Sequence, residues 1–271
     1  MAKTVIKCQN CGVYMQARTG LFAPKKVRCT CGSWINVREC DKNGDVPESK
    51  PKEKWQWKDL EIGDYITFGA YEQDNQEADC VDSDSFGMED ETVENDSREE
   101  LEWLVLDIKG DRALVISKFA IDCRQYNEKA VSVTWETCSL RQWLNKEFYE
   151  AVFNAAEKKR IPEVEVSAEK NPKYKTDPGK KTNDKLFLLS IKEVELYFKT
   201  SGLKRCKVTP YAEAQGTYNG KYNKNCWWWL RSPGYFQNFA AYVNHEGAIE
   251  VYGCSVGSEV NAVRPAMWVE L

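Results

Sequence analysis

The sequence predicts an α+β domain rich in strands and loops, with a small cysteine-bearing module ahead of it. Three observations carry this. Short apolar runs recur and end in turn residues, the pattern of antiparallel hairpins. Helical spacing of apolar side chains is concentrated in two segments, near 139–152 and 190–198. Ten Trp in 271 residues suit a compact core threaded by loops better than a helical bundle. By composition the chain divides into residues 1–40, a linker at 41–54 and a main domain at 55–271.

The first module is read from its cysteines. Cys8 and Cys11 form a C-x₂-C knuckle followed by Gly12, and Cys29 and Cys31 a tighter C-x-C knuckle followed by Gly32. Thiolates held by such turns converge tetrahedrally on Zn²⁺, and the glycines let backbone N–H groups approach the sulfurs. Two disulfides or a redox pair are the alternative, which the absence of a secretory signal disfavours. Four Cys ligands leave no open position, so the expected zinc is structural, holding a ribbon too small to build a core. Lys25, Lys26 and Arg28 read as a solvated face, and a net charge of −4 gives no basic footprint, so nucleic acid is not the expected partner.

After the polar linker, Gly63 to Phe68 alternates as a first strand should. An acidic insertion at about 73–100 follows, with Asp79, Asp82, Asp84, Glu89, Asp90 and Glu91, and reads as a solvated loop. It is not a calcium loop, because Phe86 and Val93 stand where ligands are needed. Trp103–Ile108 and Arg112–Lys118 flank Lys109-Gly110-Asp111 as a hairpin. Ser139 is placed to cap a helix whose buried face is Leu140, Trp143, Leu144, Phe148 and Val152. The Lys- and Pro-rich stretch from Pro162 to Asn183 reads as an exposed excursion. Leu186–Leu189 is a short apolar run, and Ser190 with Glu193 forms a capping box for a second helix.

The C-terminal region, about 227–271, is where large aromatic and small polar residues interleave. Ala240–Val243 and Ala248–Tyr252 are predicted strands joined by Asn244, His245, Glu246 and Gly247. Alternation would turn Ala241, Val243, Ile249 and Val251 to one face and Tyr242, Asn244, Glu250 and Tyr252 to the other. Tyr235, Phe236, Gln237, Asn238, Phe239, Tyr242, Asn244, His245, Glu250, Tyr252, Ser255 and Asn261 are the candidate ligand-binding residues. Their mixture matches that of paratopes, in which Tyr gives rigid contact area and Asn and Ser adaptable hydrogen bonds. An ordinary half-solvated sheet is the competing reading.

Trp228-Trp229-Leu230-Arg231-Ser232-Pro233-Gly234, Ala240-Ala241-Tyr242-Val243-Asn244 and Val263-Arg264-Pro265-Ala266-Met267-Trp268 resemble the C-terminal signature of bacterial C-type lectin-like domains. The branch is the one related to formylglycine-generating enzymes and used by variable proteins of diversity-generating retroelements. Gly63–Gly69, Glu102–Leu106, Thr134–Asn145, Leu186–Ser190 and Thr209–Ala212 extend the likeness upstream in consistent order. The resemblance implies a C-type lectin-like α+β fold with Trp228, Leu230, Arg231, Arg264 and Trp268 as scaffold. It further implies a diversified surface that binds a protein or other macromolecular ligand without catalysis.

A regulatory protein, with an interacting ribbon and a ligand-sensing second domain, is the alternative. An enzyme of the formylglycine-generating type is the less favoured one. Cys226 and Cys254 fall in the corresponding region, but no Gly-Gly-Ser-Trp run is present, and the single His, His245, disfavours His-based catalysis. No apolar run is long enough to span a membrane, and a cytoplasmic location is expected.

Overall fold

A computed structural model describes residues 57, 59–74, 98–220 and 224–271, and the backbone of four strands within residues 2–36. In that first part β1 (Ala2–Lys7) pairs antiparallel with β2 (Tyr14–Thr19), and β3 (Lys26–Arg28) with β4 (Trp34–Asn36). Cys8, Cys11, Cys29 and Cys31, and residues 75–97 of the acidic insertion, lie outside the described residues.

The main domain is mixed α+β with mostly antiparallel strands. Its strands in chain order are β5 (Tyr65–Glu72), β6 (Arg98–Lys109), β7 (Arg112–Ser117), β8 (Asp122–Cys123), β9 (Val164–Val166), β10 (Thr182–Asp184) and β11 (Leu186–Phe187). Then come β12 (Trp228–Pro233), β13 (Phe239–Val243), β14 (Ile249–Ser255), β15 (Ala262–Val263) and β16 (Ala266–Glu270). One five-stranded sheet runs β11-β16-β7-β6-β5 and the other β14-β13-β12-β15-β8, with β12 and β15 parallel. β9 and β10 make a separate ribbon.

The β6–β7 hairpin turns at Gly110, as its sequence predicts. Burial of Trp103 locks β5 to β6, since its indole N–H donates to the Phe68 carbonyl at 2.7 Å. The two sheets share one core, in which Trp57, Trp103, Trp228 and Trp229 are fully buried. Trp268, assigned to the scaffold with Trp228, is less deeply placed. It is half-buried, with Lys109 Nζ 5.4 Å from the ring centroid, and packs against the core from its edge.

The predicted helix spans 139–152 as three pieces, Ser139–Trp143, a π turn at Leu144–Phe148, and Tyr149–Val152. Leu140, Leu144, Phe148 and Val152 are spaced by four, and at α-helical pitch each step would rotate about 40° off the last. The wider π turn reduces that drift, and all four are buried. Its cap is Cys138, whose Sγ accepts from the Arg141 amide at 3.5 Å, not Ser139; Ser139 Oγ instead accepts from Glu128 N at 3.0 Å. The second helix, Ile191–Tyr197, has the predicted reciprocal box of Ser190 and Glu193. Among the described residues no helix is long and apolar enough to cross a membrane.

Both framework arginines bind backbone carbonyls. Arg231 Nη1 donates to the Leu188 carbonyl at 2.8 Å and Nε to that of Ser167 at 3.2 Å. Arg264 Nε donates to the Ser117 carbonyl at 3.0 Å, with its guanidinium 5.1 Å from the Trp228 ring centroid.

Candidate functional site

The buried strand β12 delivers the chain to Gly234, where a tight corner begins. A Cβ there would lie 2.6 Å from the Tyr252 carbonyl oxygen and 2.7 Å from Phe239 Cβ, so only Gly fits. The corner closes through Gly234 N to Phe239 O and Tyr235 N to Tyr252 O, both 2.7 Å. Opposite it, the register of β13 and β14 shifts. Ala240 pairs with Cys254 and Tyr242 with Glu250, so two steps of β13 face four of β14. Gly253 absorbs the bulge at φ +76°, and Tyr252 is carried out of simple alternation onto the corner.

An aromatic ridge results. Tyr235 and Tyr252 stack at 5.1 Å and 19°, and Phe236 meets Tyr235 edge-on at 4.4 Å and Phe239 at 5.3 Å. Tyr235, Phe236 and Tyr252 remain 43%, 48% and 46% exposed, which leaves a contiguous aromatic surface facing outward. Tyr174 adds a fifth ring, 4.6 Å from Tyr235 and 5.9 Å from Tyr252.

Tyr174 comes from the segment read as an exposed excursion; most of that segment is at least partly exposed, but it is anchored at points the reading did not foresee. Asn171 within it is fully buried. Its Nδ2 donates to Pro233 O at 2.8 Å and Val251 O at 2.7 Å, while Oδ1 accepts from Lys173 N and Tyr174 N at 3.0 and 3.1 Å. Thr176 Oγ1 adds a bond to Gly234 O at 2.7 Å. The loop is therefore bolted to the corner that carries the ridge. Asn171-Pro172 inside a Lys-rich run was the available signal, since Asn there forms a turn to its own backbone.

A second cluster forms elsewhere on the sheet. Tyr242 lies 5.2 Å from Trp227 and 6.5 Å from the buried Trp229, and Tyr218 packs on Trp227 at 4.5 Å. Trp227 Nε1 donates to His245 Nδ1 at 3.1 Å. Asn244 Nδ2 donates to Glu250 Oε1 at 2.6 Å. Burial pushes the Tyr242 hydroxyl up to about 12, with Cys254 and Glu250 adding to it. Phe239 and Tyr242 are three residues apart on β13, so their side chains leave opposite faces.

The twelve predicted residues thus do not share one face. Tyr235, Phe236, Phe239 and Tyr252 build the ridge. Gln237 supports it, with Nε2 donating to Asp177 O at 2.9 Å and Val133 O at 3.2 Å, and Asn238 receives Val256 N on its carbonyl at 2.9 Å. Tyr242, Asn244, His245 and Glu250 belong to the second cluster. Half-buried Ser255 turns its hydroxyl to Gly257 N at 3.3 Å. Asn261 is corrected outright. It is fully buried and its Oδ1 accepts from Ser258 Oγ at 2.9 Å, which makes it part of the frame. Of the residues that alternation turns to one face, Val243 is buried, but Ile249 and Val251 are only half-buried.

None of the described thiols belongs to the ridge itself. Burial pushes Cys138 and Cys254 each up to about 12. Cys226 is raised well above its usual value by burial and by Cys206, whose carbonyl receives the Cys226 amide at 2.8 Å. Among the described residues no group of three or more His, Cys, Asp or Glu is arranged to hold a metal. An open cleft of about 480 Å³ lies away from the ridge, lined by Arg124, Lys146, Glu128, Glu147 and Glu259 among others, and its mixed charges favour no one ligand.

A family model described as a domain of unknown function (DUF6273) matches residues 110–271. No curated protein and no solved structure matches the chain.

Proposed function

We propose, for a chain that belongs to the DUF6273 family, a non-catalytic ligand-binding role carried by the aromatic ridge of Tyr174, Tyr235, Phe236, Phe239 and Tyr252. The observation that carries this reading is the exposure of those rings on a corner whose backbone is fixed from behind by Asn171 and Thr176. A contact surface of rigid aromatic side chains loses little entropy on binding, and a fixed backbone adds to that advantage. The scaffold is proposed to be C-type lectin-like, and the surface to be diversified in the manner of retroelement variable proteins.

The N-terminal module is proposed to hold one structural Zn²⁺ through Cys8, Cys11, Cys29 and Cys31. The chemistry of the donor set supports it, since four thiolates satisfy zinc completely.

The test is a display library randomised at Tyr235, Phe236 and Tyr252 and selected against unrelated purified proteins. Folded, target-specific binders should emerge from it. Failure to recover any folded, target-specific binder from it defeats the reading. A template repeat and a reverse transcriptase in the DNA flanking the gene would support diversification, and their absence would restrict the proposal to binding alone.

A further inference from the structure

Three lysines on the loop that carries Tyr174 have no partner of opposite charge among the described residues. Lys170, Lys173 and Lys175 are all exposed and flank Tyr174 in the anchored loop, and Lys173 Nζ lies 5.1 Å from the Tyr174 ring centroid. Lys175 is held at φ +63°, with its amide bonded to Asn171 O at 3.0 Å and its Nζ to Pro172 O at 2.8 Å. Among the described residues none of the three has a carboxylate within 4.0 Å. Glu169, Glu136 and Asp177 have other partners. Glu169 pairs with Lys192 at 3.4 Å, Glu136 with Lys180 at 4.0 Å, and Asp177 Oδ1 accepts from Gly179 N at 3.1 Å.

In a chain with 42 acidic and 38 basic residues, such a local excess of positive charge beside exposed rings is uneven placement. Unpaired charges on the rim of an apolar patch select partners by complementarity and speed their encounter. We infer that the ridge and the 170–175 lysines together bind an acidic polypeptide segment, its apolar or aromatic side chains against Tyr235, Phe236 and Tyr252 and its carboxylates against Lys170, Lys173 and Lys175. This rests on the ligand-binding role proposed for the ridge. A single-stranded nucleic acid would need open ring faces and a cationic track along its phosphates. Here Tyr235 and Tyr252 stack face to face on each other, and three cations on one loop make no track. The polypeptide is the better fit.

The experiment uses the full chain and three fluorescent probes: a Glu-Trp repeat peptide, a Lys-Trp repeat peptide and oligo(dT). The Glu-Trp peptide should bind roughly tenfold or more tightly than the Lys-Trp peptide, with the advantage shrinking as salt is raised. Combining Lys170→Glu, Lys173→Glu and Lys175→Glu should abolish or reverse that preference without moving the melting temperature, and Lys173→Gln alone should weaken it in part. Tyr235→Ala with Phe236→Ala should weaken both peptides alike. Equal binding of the two peptides overturns the charge assignment while leaving the aromatic surface intact. Binding of neither overturns both. Tighter binding of oligo(dT) than of either peptide, or a preference that survives the triple reversal, also overturns the proposal.

Discussion

Arg231 and Glu193 meet as a two-point ion pair, Nη2 lying 2.9 Å from Oε1 and Nη1 against Oε2, with the guanidinium side chain only 2% exposed. The pair joins the capping box of the second helix to strand β12, which leads straight into the Gly234 corner. Helix, strand and ridge are therefore mechanically one unit.

Stability should depend on the ionisation of Glu193. Burial alone would raise its carboxyl, but Arg231 and the Ser190 amide outweigh it and hold the group below its usual value. A depressed folded value means the contribution is complete above the unfolded pKa of about 4.3 and is lost as pH falls through the lower folded value. Glu193→Gln leaves a buried guanidinium without its counter-charge and should cost about 3 kcal/mol at neutral pH. Denaturant titrations at pH 7 and at pH 3 measure both effects. An acid sensitivity that is unchanged in Glu193→Gln would contradict the assignment.

Asn171 should be the residue that holds the Tyr174 loop in place. The side chain is fully buried and makes four hydrogen bonds, so Asn171→Ala strands two carbonyls and two amides and should cost about 2–3 kcal/mol. Asn171→Asp sets a carboxylate against the Pro233 and Val251 carbonyls and should be at least as harmful. Hydrogen exchange checks the local part: the amides of Lys173 and Tyr174 should lose protection before the core strands do. Protection that stays intact in both variants would mean the loop is held by other contacts.

The sequence made the elements legible wherever periodicity and local chemistry agree. The Gly110 hairpin and the Ser190 box follow from side chains near one another in the chain, so short windows contain their causes. Asn171 failed that test because its partners, Pro233 and Val251, are 62 and 80 residues away. A strict alternation also predicts one face for the candidate surface. The bulge at Gly253 removes that premise, and the odd spacing of Phe239 and Tyr242 separates two aromatic clusters the sequence merges. Asn261 matches the surface residues in type and differs only in burial, which composition does not encode.

The two tryptophans assigned to the scaffold should differ in cost. Trp228 is fully buried beneath the Arg264 guanidinium, so Trp228→Ala should cost roughly 3–5 kcal/mol. Trp268 is half-buried against Lys109, and Trp268→Ala should cost clearly less, on the order of 1–2 kcal/mol. Chemical denaturation of both variants tests the order, and equal losses would place Trp268 in the core after all.

The four N-terminal cysteines should carry about one zinc per chain, with Zn–S near about 2.3 Å. Metal analysis of protein purified without added zinc gives the stoichiometry, and Cys11→Ser should lower it. A disulfide joining any of Cys8, Cys11, Cys29 and Cys31 by peptide mapping would sink the assignment.

The last prediction separates ridge from frame by comparing Tyr252 with Tyr242. Both are tyrosines of the same hairpin, one on each strand, and composition treats them alike. Tyr252 is 46% exposed and touches rings that are themselves at the surface. Tyr242 is half-buried between Trp227 and Trp229. Tyr252→Ser removes surface contacts only and should change stability by about 0.5 kcal/mol, rising toward 1 with the lost stacking on Tyr235. Tyr242→Ser opens a gap against a buried indole and should cost about 2–3 kcal/mol. Ligand binding should respond in the opposite order, falling steeply in Tyr252→Ser and little in Tyr242→Ser. Thermal melts and peptide binding on the two variants give all four numbers. If Tyr252→Ser is the more destabilising change, its ring is structural, and the surface open to variation would have to be sought at the Tyr242 cluster instead.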